Sequence, residues 1–255
     1  DLLMLPAFFA FIILFPGFIS WRLIGRRFRS PIDRGTHLIS ALLSNIGTLG
    51  GICAYIIYGE RGFAYAQIGG ACQNLALVIL AFPIAQYYYL LNKTHGRAAR
   101  LEGRSFLGLL ISWNQLSILG MAAGLLLNAG GVTRPPVLSE AFGYIIHVSA
   151  WFAMLPVGSL INLRRARHFV YLTLDMIALR FLIVPLFTFF AARIFISDPV
   201  VQNALVIFAG VPAAINATLT ARLYRLNVDY TIAVFLVTTV LYLTILFPVT
   251  FFLFR

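Results

Sequence analysis

Asparagine set beside glycine and proline inside apolar stretches is the pattern in this 255-residue chain that could do chemistry. Two stretches carry it: Ser44-Asn45-Ile46-Gly47-Thr48-Leu49-Gly50-Gly51, and Ala209-Gly210-Val211-Pro212-Ala213-Ala214-Ile215-Asn216. Each glycine costs a helix interior about 1 kcal/mol relative to alanine, and Pro212 removes one backbone donor and frees a carbonyl. Both stretches are therefore expected to break a membrane helix. Groups freed by a break must be satisfied by protein or water, since lipid offers no partners. The half-helix that follows presents N–H groups and a partial positive charge, which suit an anion. Asn45, Gly47, Thr48 and Gly50 at the first stretch, with Gly210, Pro212 and Asn216 at the second, are the candidate substrate-binding residues. The bland alternative for either stretch alone is a kinked packing helix.

Ionisable and amide side chains inside apolar runs come next. Arg180 is the only basic residue deep in such a run, and an ionisable group there is a functional candidate by default. It could draw an organic anion to the pocket, or it could pair with Asp175 five residues earlier. Asp175, and His147 in another run, are the proton-coupling candidates. Gln73, Asn74, Asn114 and Gln115 could line a cavity, although amides also hold membrane helices together. Gly120-x-x-x-Gly124 allows close helix contact; its alternative use as a dimer face would make the protein a homodimer. Cys53 and Cys72 read as small buried hydrophobes. Asn92-Lys93-Thr94 matches a glycosylation sequon on the expected cytoplasmic side and is discounted. No hydrolase, metalloprotease or phosphate-loop motif occurs, so neither an enzyme, a cofactor nor a metal site is expected.

The elements that must position these residues follow from composition. Hydrophobic residues make up 61% of the chain, charged residues 11%, and mean hydropathy is +0.92. Such a chain is expected to be an all-α polytopic membrane protein; soluble enzymes, disulfide scaffolds and disordered tails are excluded. At about 20 apolar residues per span, apolar runs place eight spans near 2–22, 36–58, 63–91, 107–128, 138–163, 170–196, 200–221 and 230–254. The connections after the odd-numbered spans hold 14 of the 19 Lys and Arg residues and the other side 4, with Arg180 inside a span. The positive-inside rule makes the rich side cytoplasmic and puts both ends of this chain outside. The net charge of +11 is then explained by topology and anionic lipid in the plasma membrane, or the inner membrane of a bacterium, with no nucleic-acid partner.

Residues 1–91 and 170–255 each read as three spans with the middle one interrupted (36–58 and 200–221), and they start from opposite sides. That is the pattern of an inverted repeat. Between them lie a short cytoplasmic loop, 92–106, and two further helices within 107–169.

With these residues in place, the chain resembles the auxin efflux carrier family of membrane transporters, which includes plant PIN-type carriers and bacterial homologues. The likeness runs over essentially the whole chain. It is carried by Ser44-Asn45-Ile46-Gly47, Gln73-Asn74, Leu155-Pro156-Val157-Gly158, Arg180 with Pro185, Pro212-Ala213-Ala214, Ala221-Arg222-Leu223-Tyr224, and the run from Thr238-Thr239 to Pro248. The resemblance implies ten helices in two inverted sets of five, so that this chain's first span matches the family's third and two N-terminal helices are absent. It further implies that the two triplets move against a scaffold made with 107–169. Two departures stand out: Gly50-Gly51 replaces the proline usual after the first break, and Gln115-Leu116 replaces prolines after Asn114.

The expected function is secondary transport, in the efflux direction, of a small organic anion or carboxylate by elevator-type alternating access. The pocket would lie where the broken helices cross. Alternatives are a sodium-coupled bile-acid-type symporter, which would want carboxylates beside the breaks, and a non-transporting channel or structural helix bundle.

Overall fold

A computed structural model describes residues 2–94, 116–138, 140–145, 148 and 167–254. Asn114, Gln115 and His147, and much of the spans expected at 107–128 and 138–163, lie outside the described residues. The chain forms two compact units, Asp1–Glu102 with Ile161–Arg255, and Gly103–Leu160.

Nearly all described residues are helical. Among the described residues four helical stretches are long and apolar enough to cross a membrane: Leu5–Arg27, Ile46–Lys93, His168–Phe195 and Val228–Phe254. In the larger unit the elements are α1 (Leu5–Arg22), α2 (Pro31–Leu42), a π turn Ile46–Gly50 leading into α3 (Gly51–Ala76), and, after a second π turn, α4 (Phe82–Lys93). The smaller unit contributes α5 (Leu116–Ala129), an apolar helix ending at a turn in which Gly131 has φ +71°. The larger unit resumes with α6 (Leu174–Ala178), α7 (Val184–Phe195), α8 (Pro199–Ala209), α9 (Ile215–Leu223), α10 (Val228–Leu241) and α11 (Phe247–Phe254).

The stretch Ile46–Lys93 has 48 residues, which as one rod would reach about 70 Å, over twice the ~30 Å hydrocarbon core. It is instead folded back at Gly59, whose φ of +62° and ψ of −148° interrupt α3. Such a φ is cheap only for glycine. Beyond the turn, Gln67 Nε2 donates to the Gly47 carbonyl at 3.1 Å, and a Cβ on Gly47 would lie 3.3 Å from Gly70 Cα. The two legs therefore run antiparallel and nearly touch through their glycines.

Prolines account for the π turns. Pro83, Pro185 and Pro248 each follow a five-residue π segment by two positions: Leu77–Ala81, Leu179–Ile183 and Tyr242–Leu246. A proline cannot donate to residue i−4 and its ring crowds that carbonyl. Widening the preceding turn relieves both problems without ending the helix.

Two interruptions are complete. Leu43 leaves α2 with extended geometry, φ −96° and ψ 117°, and the chain turns helical again only at Ile46. Likewise α8 ends at Ala209, and α9 begins at Ile215 after Ala214 at φ −82° and ψ 148°. The first break therefore lies at 43–45. Gly50 and Gly51, expected to contribute to it, have helical φ/ψ of −60°/−40° and −62°/−45°. Their small size serves packing instead: a Cβ on Gly50 would come within 3.0 Å of Val211 Cγ1.

Spacing within 1–91 matches spacing within 170–255. Pro16 precedes Ser44 by 28 residues, as Pro185 precedes Ala213, and Gln73 precedes Pro83 by ten, as Thr238 precedes Pro248.

Candidate functional site

The two unwound segments bind each other through their backbones. Asn45 N–H donates to the Pro212 carbonyl at 2.9 Å and Ala214 N–H donates to the Leu43 carbonyl at 3.0 Å, so that Ser44 and Ala213 form an isolated antiparallel bridge. Exchanging 43–45 with 212–214 maps one bond onto the other. This pairing answers the demand that buried backbone polar groups find partners, and it fixes the crossing of the two interrupted helices.

The amides of the bridge residues point away from each other, and each finds a side chain on a later helix, α3 for Ser44 and α10 for Ala213. Ser44 N–H and Oγ–H both donate to Gln73 Oε1, at 3.2 and 3.0 Å, and Gln73 Nε2 donates to the Leu42 carbonyl at 3.4 Å. Ala213 N–H donates to Thr238 Oγ1 at 3.2 Å. Gln73 and Thr238 are both buried. Gln73 is thus a clasp on the first break, its oxygen accepting two hydrogen bonds and its nitrogen donating one.

Arg180 has a comparable place. It is buried, and its Nη2 donates to the carbonyls of Ser40, Ala41 and Leu43 at 3.0, 2.7 and 2.9 Å. These carbonyls close the C-terminal end of α2, where the helix dipole is negative and a cation is stabilising. The pairing with Asp175 considered from sequence is not formed. Five residues of helix set two side chains about 140° apart around the axis, and Asp175 instead receives Arg27 and lies 3.0 Å from His37 Nε2.

What remains for a ligand is the N-terminal face of the half-helix beginning at Ile46. Asn45 caps it: Oδ1 accepts from Leu49 N–H at 3.5 Å and from the Thr48 hydroxyl. No hydrogen bond among the described residues goes to the Asn45 amide nitrogen. Thr48 is exposed and Gly47 half-buried, whereas Asn45, Ile46 and Leu49 are buried. Asn216, half-buried in the first turn of α9, offers a second side-chain amide, while its carbonyl accepts from Thr220 at 2.7 Å. Gly210 is the buried C-cap of α8, lying against Pro185. Asn74 is half-buried on the helix that carries Gln73.

The structure therefore gathers Asn45, Gly47, Thr48, Gly50 and Pro212 at one place and clasps them with Gln73 and Arg180. Two residues that were not among the candidate site residues complete the arrangement, Ser44 and Thr238, and His37 lies apart from it beside Asp175. Thr238 could have been found by its matched distance from Pro248. His37 gives no local signal, because its partner Asp175 is 138 residues away. Among the described residues no group of three His, Cys, Asp or Glu side chains could hold a metal ion.

No family model matches the chain, and no curated protein matches it in sequence.

Proposed function

We propose that the protein is a secondary carrier for a small organic anion, a carboxylate, bound at the crossing of its two interrupted helices. The observation that carries this reading is the backbone pairing of 43–45 with 212–214. The pairing uses up the backbone amides of Asn45 and Ala214 and leaves Thr48, in the first turn of the Ile46 half-helix, exposed beside the half-buried Gly47. Helix starts of this kind favour a carboxylate without any buried cation, which suits a site that must also release its cargo. With Arg180 engaged by α2, the binding charge comes from backbone dipoles.

Matched spacing of prolines, breaks and clasps supports reading the two triplets as an inverted repeat. In that reading they move together against the remaining helices, alternately exposing the Thr48 face to either side. The order of motifs shared with auxin efflux carriers supports the same assignment, and the arginine-rich connections support a cytoplasmic position for their side of a plasma or bacterial inner membrane. The test is reconstitution of the full-length protein into liposomes and uptake of radiolabelled carboxylates, including a dicarboxylate and an aromatic acid. Saturable uptake of at least one, lost in Asn45→Leu, is expected. Conductance without saturation would point to a channel, and no flux at all would contradict transport.

A further inference from the structure

A second polar cluster lies away from the crossing and has no part in the anion berth. His37, on α2, is fully buried. Its Nδ1 lies 2.6 Å from Ser20 Oγ on α1, and its Nε2 lies 3.0 Å from Asp175 Oδ2 on α6. The same carboxylate receives the guanidinium of Arg27 from the turn after α1, and its Oδ1 accepts from Met176 N–H at 2.8 Å. The rings of Phe28 and Tyr230 pack beside the imidazole, with centroids 5.2 and 6.3 Å away, and the Tyr230 hydroxyl donates to the Leu172 carbonyl. Titratable or charged groups therefore face His37 from α6 (Asp175), the turn after α1 (Arg27) and α10 (Tyr230). On α2 itself, Asp33 accepts from Asn227 Nδ2 at 2.9 Å.

We infer that His37 and Asp175 form a proton-binding site that couples proton movement to anion movement at the crossing; the coupling half of this rests on the carrier reading above. The geometry suits both protonation states. With a neutral ring, Nε2–H donates to Asp175 and the Ser20 hydroxyl donates to Nδ1. When a proton adds to the Nδ1 lone pair, both ring N–H groups donate, Nδ1–H to the Ser20 oxygen and Nε2–H to Asp175 Oδ2. The proton leaves by the reverse step. In both states each ring nitrogen keeps its hydrogen-bond partner.

Placement supplies the coupling. A single helical stretch grips α2 at two heights: Asp175 holds His37, and Arg180 holds the three carbonyls next to the break. Adding a proton sets two cations, Arg27 and the imidazolium, against one carboxylate. That alters how α6 holds α2, and α2 runs directly into the segment that carries Asn45. A ligand can shift an equilibrium between two arrangements only through different affinities for them, and this pair provides such a difference for a proton.

The test uses full-length protein with 15N-labelled histidine. Ring signals are followed from about pH 8 to pH 5, and a change at His37 that is missing from His37→Gln is expected. If the variant does not fold, replacing His95, His147 and His168 leaves His37 as the sole histidine. In liposomes loaded with a pH dye, malate or indole-3-acetate uptake should bring a matching pH change that falls to background in His37→Gln. Constant ring signals over that range overturn the inference even where uptake occurs, and leave the carrier reading intact. So does an unchanged number of protons per anion in the variant. A titrating His37 in a protein that takes up no carboxylate overturns the carrier reading, and the coupling with it.

Discussion

At the first break the carbonyls that end α2 are gathered by a buried guanidinium from another helix, whereas at the second break the chain closes its own end. There Gly210 N–H donates to the carbonyls of Val206 and Ile207 at 3.1 and 3.2 Å. The clasps differ in the same sense. Gln73 makes three hydrogen bonds to the first break, while Thr238 accepts one from the second. Local turn geometry thus suffices for the proline-containing break, and distant side chains hold the one that lacks proline. Proline fixes its own φ, removes a donor and crowds the preceding turn, which kinks or breaks a helix; glycine only weakens one. Where Gly50 and Gly51 could have stayed helical throughout, tertiary hydrogen bonds must select the broken form, and they do so at 43–45.

Breaking the comparison at Arg180 should have the largest effect. Arg180→Gln leaves three carbonyls of α2 short of a buried donor, and a buried polar group left unsatisfied costs about 1–3 kcal/mol, here at three acceptors at once. The unfolding midpoint in detergent should drop steeply, and Arg180→Lys, which keeps the charge with a different donor geometry, should recover part of it. If Arg180→Gln unfolds like the wild type, the clamp has no structural weight.

Gln73→Leu should come next. It strands the Ser44 N–H and hydroxyl, at about 1–3 kcal/mol for a buried unsatisfied group. Thr238→Val, nearly isosteric, strands only the Ala213 N–H and should cost less, about 1 kcal/mol. Equal losses measured by denaturant unfolding would remove the asymmetry between the breaks. Gly50→Ala probes their close approach: its Cβ would meet Val211 Cγ1 at 3.0 Å, and a cost of about 1 kcal/mol is expected from overpacking.

The smallest effect concerns the connection before the second broken helix. Asp198 caps α8, with Oδ1 accepting from Val200 N–H at 2.8 Å, and it pairs with Arg61 near the Gly59 turn. The Val200 amide, with Arg61 beside it, holds the carboxyl below its ordinary range. A depressed value in the folded state means that its stabilisation is present above the ordinary aspartate range, near pH 4, and fades as pH falls through it. Thermal midpoints of the wild type and Asp198→Ala should therefore differ at neutral pH and converge in acid.

Much of this architecture was legible in residue types. Gly210 and Pro212 mark the second break because their effect on a helix is local, and the apolar runs at 2–22, 170–196 and 230–254 lie close to helical stretches described at Leu5–Arg27, His168–Phe195 and Val228–Phe254. What the residues did not disclose depends on pairing at long range. Gly47 and Gly50 look like helix breakers, yet they let helices touch. Arg180 looks like a ligand for an anion or a partner for Asp175, yet it holds carbonyls 137 to 140 residues away. Asp175 was singled out by type, but its partner His37 was not, because periodicity along one helix says nothing about which helix faces it.

The carboxylate berth at the first turn after Asn45 is tested most directly by labelling Thr48→Cys with a membrane-permeant maleimide in a protein whose Cys53 and Cys72 are replaced by alanine. A transported carboxylate should slow the labelling, its uncharged amide analogue should not, and Asn45→Leu should abolish the protection. Labelling at the same rate with and without every carboxylate tried would contradict an anion site at the crossing of the two helices.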